Sequence, residues 1–443
     1  MADPDDGDLS PEEILRRAEE AFDKGRQLFE AGHLPEAIAA FMRALELNRQ
    51  VEGTERQQAD CLGNTGVTLG EMGRYEEALT AYQDALDLYR TLPGTEPQQA
   101  TCLFSTGVTL VEADRYEEAF SSYRDALDIY RTLPDTQKDQ AGCLDNIGDT
   151  LRRVGRYEEA LTAFQQNLAL YRGLPDTQPQ QAKCLLGTGV TLGEMGRYEE
   201  ALTAHQDALD LYQQVDGTQE EQALCLLSTG DTLRRVGRGR YEEALTAYQD
   251  ALSLYRQVDN TQRRQAECLR SLGRVLDDLG RYEEAATAFQ QAADLYRQVD
   301  GARRDLAGCT RNAGSALGSA GRYEEACGFF QDALDIYRQA TGVQRQEAEC
   351  LHDIGLTLRR LRRYDEALAA YEQALDTFRQ VDGSRQDQAA CLNSMGCILH
   401  VLERHREALA TLRQALEMYR RLPGTQRQQA DCLGNTGVTL GEM

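Results

Sequence analysis

Residues 54–92, TERQQADCLGNTGVTLGEMGRYEEALTAYQDALDLYRTL, decide the fold. Ala59, Leu62, Gly66 and Leu69 fall at three- and four-residue steps, and so do Ala78, Tyr82, Ala85, Leu86 and Tyr89. That spacing puts each set on one face of an amphipathic helix. Gly73 stands between the sets, where a left-handed residue ends a helix without strain. The stretch therefore predicts two antiparallel helices. Glu76 and Glu77 favour the start of the second by their charge, and Arg90 favours its end.

The same pattern recurs outward in both directions. Cys61, Cys102, Cys143, Cys184 and Cys225 are 41 residues apart, the step to Cys268 is 43, and Cys309, Cys350, Cys391 and Cys432 resume the interval of 41. A fixed period of this size means one helical hairpin stacked many times, with a core that runs through its neighbours. Glycine recurs at Gly66, Gly107, Gly148, Gly189, Gly230, Gly273, Gly314, Gly355, Gly396 and Gly437. A glycine inside a helix costs about 1 kcal/mol relative to alanine, so its repetition predicts a neighbour pressed against that point. Thr54 with Gln57, Thr95 with Gln98, Thr177 with Gln180, Thr218 with Glu221 and Thr425 with Gln428 read as capping boxes at helix entrances. Loops such as 92–95 and 215–218 are turn-formers.

Leu62, Gly66, Leu69, Ala78, Tyr82 and Ala85 match the spaced small and large residues of the tetratricopeptide repeat, and from Pro11 to Met443 the chain resembles that family. The longer unit is similar to the variant found in kinesin light chains and Pins-type adaptors. The resemblance implies an all-α, right-handed superhelical solenoid of antiparallel helix pairs, with first helices lining a concave groove and second helices forming the back. Ten full repeats and a final unpaired first helix are expected, in a single array over 11–443. Departures are Thr65, Thr106, Thr188 and Thr229 before the glycine, Asn167 for a second-helix alanine, and His205 where Tyr82 has its ring; these question the packing density of their repeats. The first repeat is divergent but keeps Gly25, Leu28, Ala37, Phe41 and Ala44. Residues 1–10 are expected to be an acidic, disordered tail. The 43-residue repeat carries an extra Gly-Arg within 237–240, expected to lie in the turn between paired helices and to alter curvature locally. Residues 427–443 copy residues 56–72, and the second helix that should follow is missing. A fragment of a longer chain, a makeshift cap and end-to-end self-association are the three explanations.

The 443 residues hold 48 Lys and Arg against 73 Asp and Glu, a net charge of −25. That balance disfavours nucleic acid and anionic membranes as partners. No run of 18 apolar residues and no secretory leader is present, so a cytoplasmic protein is expected. Ten of the 12 cysteines sit at equivalent places in stacked repeats, about 10 Å apart by helix packing and beyond disulfide reach. They read as small buried apolar residues. No metal-ligand spacing or cofactor motif occurs. Paired glutamates at helix starts are a solvated face, and the five histidines have no nucleophile at recognisable spacing, so no enzyme is expected.

Three residues after the repeat cysteines come Asn64, Asn146 and Asn312, with serine, aspartate or a further asparagine in most other repeats. By resemblance to peptide-holding family members, these asparagines would bond a ligand's backbone; a satisfied surface asparagine is the competing reading. Nine and ten residues after the cysteine the repeats differ sharply, from Gly70-Glu71 to Arg152-Arg153, Arg234-Arg235, Asp277-Asp278 and Arg359-Arg360. With Arg270, Arg274 and Arg311 these arginines put positive charge on the expected inner face, suited to an acidic peptide. Pairing with Asp149, Asp231, Asp277 and Asp278 is the alternative. The function expected is a scaffold that binds a protein or peptide, against a sensor module of a larger signalling protein or a self-assembling solenoid.

Overall fold

A computed structural model describes residues 9–443. The described residues form helices and no strands, in two compact units divided after Asp216. Unit 1 begins with α1 (Pro11–Glu30) and α2 (Leu34–Asn48), followed by α3 (Glu55–Glu71) and α4 (Tyr75–Arg90). Next come α5 (Glu96–Glu112), α6 (Tyr116–Tyr130), α7 (Gln137–Arg153), α8 (Tyr157–Arg172), α9 (Gln178–Glu194) and α10 (Tyr198–Tyr212). Unit 2 holds α11 (Gln219–Val236), α12 (Tyr241–Tyr255), α13 (Gln262–Asp278), α14 (Tyr282–Tyr296), α15 (Arg303–Ser319) and α16 (Tyr323–Arg338). It continues with α17 (Gln344–Arg360), α18 (Tyr364–Phe378), α19 (Arg385–Val401), α20 (His405–Arg420) and α21 (Gln426–Gly441). Odd-numbered first helices pack on the even-numbered second helices that follow them, and α21 packs on α20. The all-α hairpin repeat expected from the sequence is the fold.

The core explains the spacing. Ala59, Ala78 and Ala85 are fully buried in their repeat, as are Ala266, Ala285 and Ala292 in theirs, and ten cysteines are buried among them. The internal glycines of the series are notches for a ring, except that Gly396 faces Leu412. A Cβ on Gly66 would lie 2.8 Å from the Tyr82 ring, one on Gly148 2.7 Å from Phe164, and one on Gly230 2.6 Å from Tyr248. The neighbour that excludes a Cβ is thus a large side chain of the partner helix, a ring in every such repeat but that of Leu412. Gly73 ends α3 at φ +73°, with Arg74 N–H donating to Leu69 O at 2.9 Å. Burial of apolar area at about 25 cal/mol per Å² is the main stabilising term for such a stack.

The departures fit the packing, although Asn167 Oδ1 is buried with no hydrogen-bond partner among the described residues. Thr65, Thr106 and Thr188 each donate to the carbonyl four residues back, all at 2.8 Å, so the hydroxyl is satisfied within its own helix. His205 is 1% exposed and fills the Gly189 notch as a tyrosine would. Asn167 is fully buried and donates to Asp145 Oδ1 at 3.2 Å.

The capping boxes are corrected. At Thr54, Thr95, Thr177, Thr218 and Thr425 no side chain caps the helix that follows. Thr95 has φ −107° and ψ 11°, outside the extended region a capping residue needs. Its hydroxyl instead donates backwards to Tyr89 O at 2.5 Å, in the last turn of α4, and to Leu92 O at 3.0 Å in the loop after it, and accepts from Gln99 rather than Gln98 at 3.1 Å. Thr54, Thr177 and Thr425 repeat this lock on the preceding helix end.

The extra Gly-Arg is absorbed in the turn. Helix α11 continues to Val236, Gly237 takes φ 111°, and a single 3₁₀ turn over Arg238–Arg240 leads into α12. Of the expected tail, residues 1–8 lie outside the described residues. Leu9 packs on the cluster of Ile14, Ala18 and Leu47, and Ser10 accepts from Glu13 N–H to cap α1.

Candidate functional site

Successive first helices also touch one another directly: α3 with α5 and α7 with α9 in unit 1, α11 with α13, α15 with α17, α17 with α19 and α19 with α21 in unit 2. Their outer faces make a continuous strip within these stretches. All the asparagines and arginines singled out by the sequence lie on first helices.

In unit 1, Asn64 donates its amide to Asp60 O at 2.8 Å and Asn146 donates to Gly142 O at 2.9 Å, each four residues back on its own helix. Their amide nitrogens are thus bonded to their own helices, and their amide oxygens make no hydrogen bond among the described residues. Arg152 bridges Asp149 at 3.5 Å and Glu194 of the next repeat at 3.2 Å. Burial pushes the Asp149 carboxyl above its ordinary value, and Arg152 counters that. Arg153 is exposed and lies 5.7 Å over the Tyr116 ring. Between α3 and α5 a hollow of about 630 Å³ is lined by Val67, Gly70, Tyr75, Tyr82, Ser105 and Val108. Val67 and Val108, six residues after their cysteines, are 37% and 40% exposed.

In unit 2, Asn312 is half-buried on α15. Arg234 is half-buried near Tyr248, whose hydroxyl donates to Asp231 at 2.7 Å, and Arg235 is exposed. Arg270 pairs with Asp305 at 3.3 Å, while Arg274 is exposed and makes no ion pair among the described residues. Arg311 is spent within the fold, 2.7 Å from Glu349 and 2.8 Å from Asp353. Burial works against its charge, but the two carboxylates outweigh it and hold the guanidinium above its ordinary value. Asp277 carries the opposite charge, raised by burial and by Asp278 beside it.

Arg359 and Arg360 are different. Neither makes an ion pair among the described residues, and both line a hollow of about 380 Å³ with Ser315, Ser319, Tyr323 and Asp353. The sequence grouped all nine arginines; the structure leaves Arg359 and Arg360 together with a cavity to face. It missed the variable place six residues after the cysteine, apolar in Val67 and Val108. The signal was there, since Val67, Val108, Asp149, Val190, Asp231, Arg274, Ser315, Leu356, Cys397 and Val438 vary at that place as the arginine positions do.

A second face is regular. Arg74 and Glu77 form a double hydrogen bond at 2.7 and 2.6 Å at the entrance to α4, which holds the Glu77 carboxyl below its ordinary value. Arg115 and Arg156 repeat this with Glu118 and Glu159 and reach back to Glu76 and Glu117 of the preceding repeat. This face is charge-saturated by its own residues, which directs attention to the first-helix strip.

The described residues contain no helix long and apolar enough to cross a membrane. The family model described as tetratricopeptide repeat matches residues 17–91, 71–132, 140–214, 189–256, 230–298, 306–380 and 357–421. No curated relative matches significantly. Among solved structures, the apo form of RapI is 14% identical, with a TM-score of 0.52 over 78% of this chain and 98% of its own. A signal-transduction ATPase with numerous domains and a tetratricopeptide repeat sensor, from Pyrococcus horikoshii, is 14% identical, with a TM-score of 0.51 over 76% of this chain and 52% of its own. A tetratricopeptide repeat protein from Parabacteroides merdae is 17% identical, with a TM-score of 0.47 over 66% of this chain and 98% of its own.

Proposed function

Because this chain belongs to the tetratricopeptide repeat family, we propose that it is a protein-interaction scaffold whose first-helix strip binds an extended peptide segment carrying acidic side chains. The observation that carries this reading is the pair Arg359 and Arg360, unpaired in an acidic molecule and lining the hollow beside Ser315 and Ser319. A guanidinium pair of this kind takes a carboxylate through charge-assisted bonds, and the neighbouring hydroxyls suit peptide carbonyls and amides. Arg153 and Arg274, exposed and outside ion pairs, are further contacts for the same class of ligand. Asn64, Asn146 and Asn312 contribute through their amide oxygens, which accept from a peptide N–H. No catalytic step is assigned, and the free thiols suit the reducing cytoplasm.

The reading is tested by fluorescence anisotropy with the full chain. A library of acidic peptides is compared with the same peptides carrying Gln and Asn in place of Glu and Asp. The acidic set should bind more tightly, less so at high salt, and Arg359→Glu with Arg360→Glu should weaken it by about tenfold or more. Equal affinity for both sets, or an unaffected double variant, overturns it.

The Pyrococcus horikoshii signal-transduction ATPase, of similar fold, carries a tetratricopeptide repeat sensor; a second reading has the repeats of this chain sense a ligand on behalf of a signalling effector. It uses the same strip but calls for a ligand-dependent change in protection of the hairpins, readable by hydrogen exchange.

A further inference from the structure

Two repeat positions change to histidine in the same hairpin, and the fold brings them together. Nine residues after the cysteine, the earlier repeats carry Gly70, Val111, Arg152, Gly193, Arg234, Asp277, Gly318 and Arg359, and only α19 carries a histidine, His400. The first residue of the second helix is Tyr75, Tyr116, Tyr157, Tyr198, Tyr241, Tyr282, Tyr323 and Tyr364 in turn, and then His405. These two substitutions stand across one turn with ring centroids 5.4 Å apart.

The next repeat supplies a carboxylate. Glu442 Oε2 lies 3.4 Å from His400 Nε2. The stacking register delivers it: the same 42-residue separation sets Glu194 against Arg152 at 3.2 Å. One ligand atom from each of His400, His405 and Glu442 lies within 4.8 Å of the others. The Nδ1 atoms of both histidines are buried and have no hydrogen-bond partner among the described residues. Arg404, which precedes His405, is engaged elsewhere, clamped to Glu407 at 2.7 Å.

We propose that His400, His405 and Glu442 form a binding site for a divalent transition metal ion of the zinc type. Two imidazoles and one carboxylate are a borderline-soft donor set, with metal bonds of about 2.0–2.2 Å. Ligand atoms around a tetrahedral ion stand about 3.3 Å apart, so a modest closing of the three side chains completes the triad. Glu442 is exposed enough to swing, and tetrahedral coordination would leave a fourth position for water or a partner's side chain. The ion would tie α19 and α20 to the end of α21. This site is independent of the peptide-binding reading.

The test uses the full chain, stripped of metal and kept reduced, titrated with Zn²⁺ in competition with a chelating indicator. One ion per chain should bind. His400→Arg with His405→Tyr, which restores residues that other repeats hold at these places, should keep the helical circular dichroism of the parent. It should weaken binding by more than the about 10–100-fold that loss of a supporting residue alone costs. Co²⁺ gives a second readout, because nitrogen and oxygen ligands produce visible d–d bands without the near-ultraviolet charge-transfer bands of thiolate. A missing one-site isotherm, equal affinity in the double variant, or thiolate bands from a site at Cys397 would each overturn the proposal.

Discussion

Gly66 and Gly437 sit in identical 17-residue stretches, 56–72 and 427–443, yet their surroundings differ. A Cβ on Gly66 would lie 2.8, 2.9 and 3.0 Å from three atoms of the Tyr82 ring, whereas one on Gly437 meets nothing within 4 Å. Alanine in a helix is favoured over glycine by about 1 kcal/mol. Gly437→Ala should therefore stabilise α21 by about 1 kcal/mol, slowing its hydrogen exchange about fivefold. At Gly66 the closest approach falls 0.6 Å short of the 3.4 Å where ordinary contact begins. The ring is hemmed by Leu69, Ala78 and Ala81. Overpacking of this kind costs about 1–3 kcal/mol, which cancels the helix gain and leaves a net loss of about 0–2 kcal/mol. Exchange in α3 and α4 should stay level or quicken by up to about thirtyfold. Peptides reaching into the unlike flanks at 49–59 and 420–430 distinguish the two copies by mass spectrometry. Equal stabilisation at both sites would refute the notch, because a Cβ at Gly66 meets the Tyr82 ring and one at Gly437 meets nothing.

Thr95→Ala removes a hydroxyl that serves Tyr89 O, Leu92 O and Gln99 at once and is 1% exposed; a loss of about 1–3 kcal/mol should appear as faster exchange at the end of α4 and the start of α5. His205 is held down to about 4 by burial, so below about pH 6.5 the unfolded chain takes up a proton the folded chain refuses. Its contribution to stability falls as pH drops toward 4, by about 2 kcal/mol between pH 7 and 5, and His205→Phe, the residue at the equivalent place in α8 and α14, should remove that slope from urea titrations. Burial pushes Cys143, Cys184 and Cys225 up to about 12, so a disulfide reagent at pH 8 should modify Cys327 and Cys397 first, both only half-buried. Rapid labelling of the repeat-series thiols in the folded chain would contradict that burial.

What was legible in the sequence was whatever one hairpin must do by itself. The 3.6-residue spacing of Ala59, Leu62, Gly66 and Leu69 fixes a helix face, Gly73 fixes the turn, and the period fixes the stack, because each signal lies within 41 residues and recurs. The glycine series implied a close neighbour, and the ring that fills the notch lies 16 residues on, within the same repeat. Contacts between repeats were not legible. Whether Arg311 serves a ligand or Glu349 and Asp353 depends on groups 38 and 42 residues away, and so does the freedom of Arg359 and Arg360. Thr95 locks the helix behind it rather than the one ahead because the loop backbone, not the residue type, aims its hydroxyl. His400, His405 and Glu442 meet only through stacking register. Local periodicity writes secondary structure into the chain, while the partners of a charged side chain are chosen by geometry that appears only when the hairpins nest.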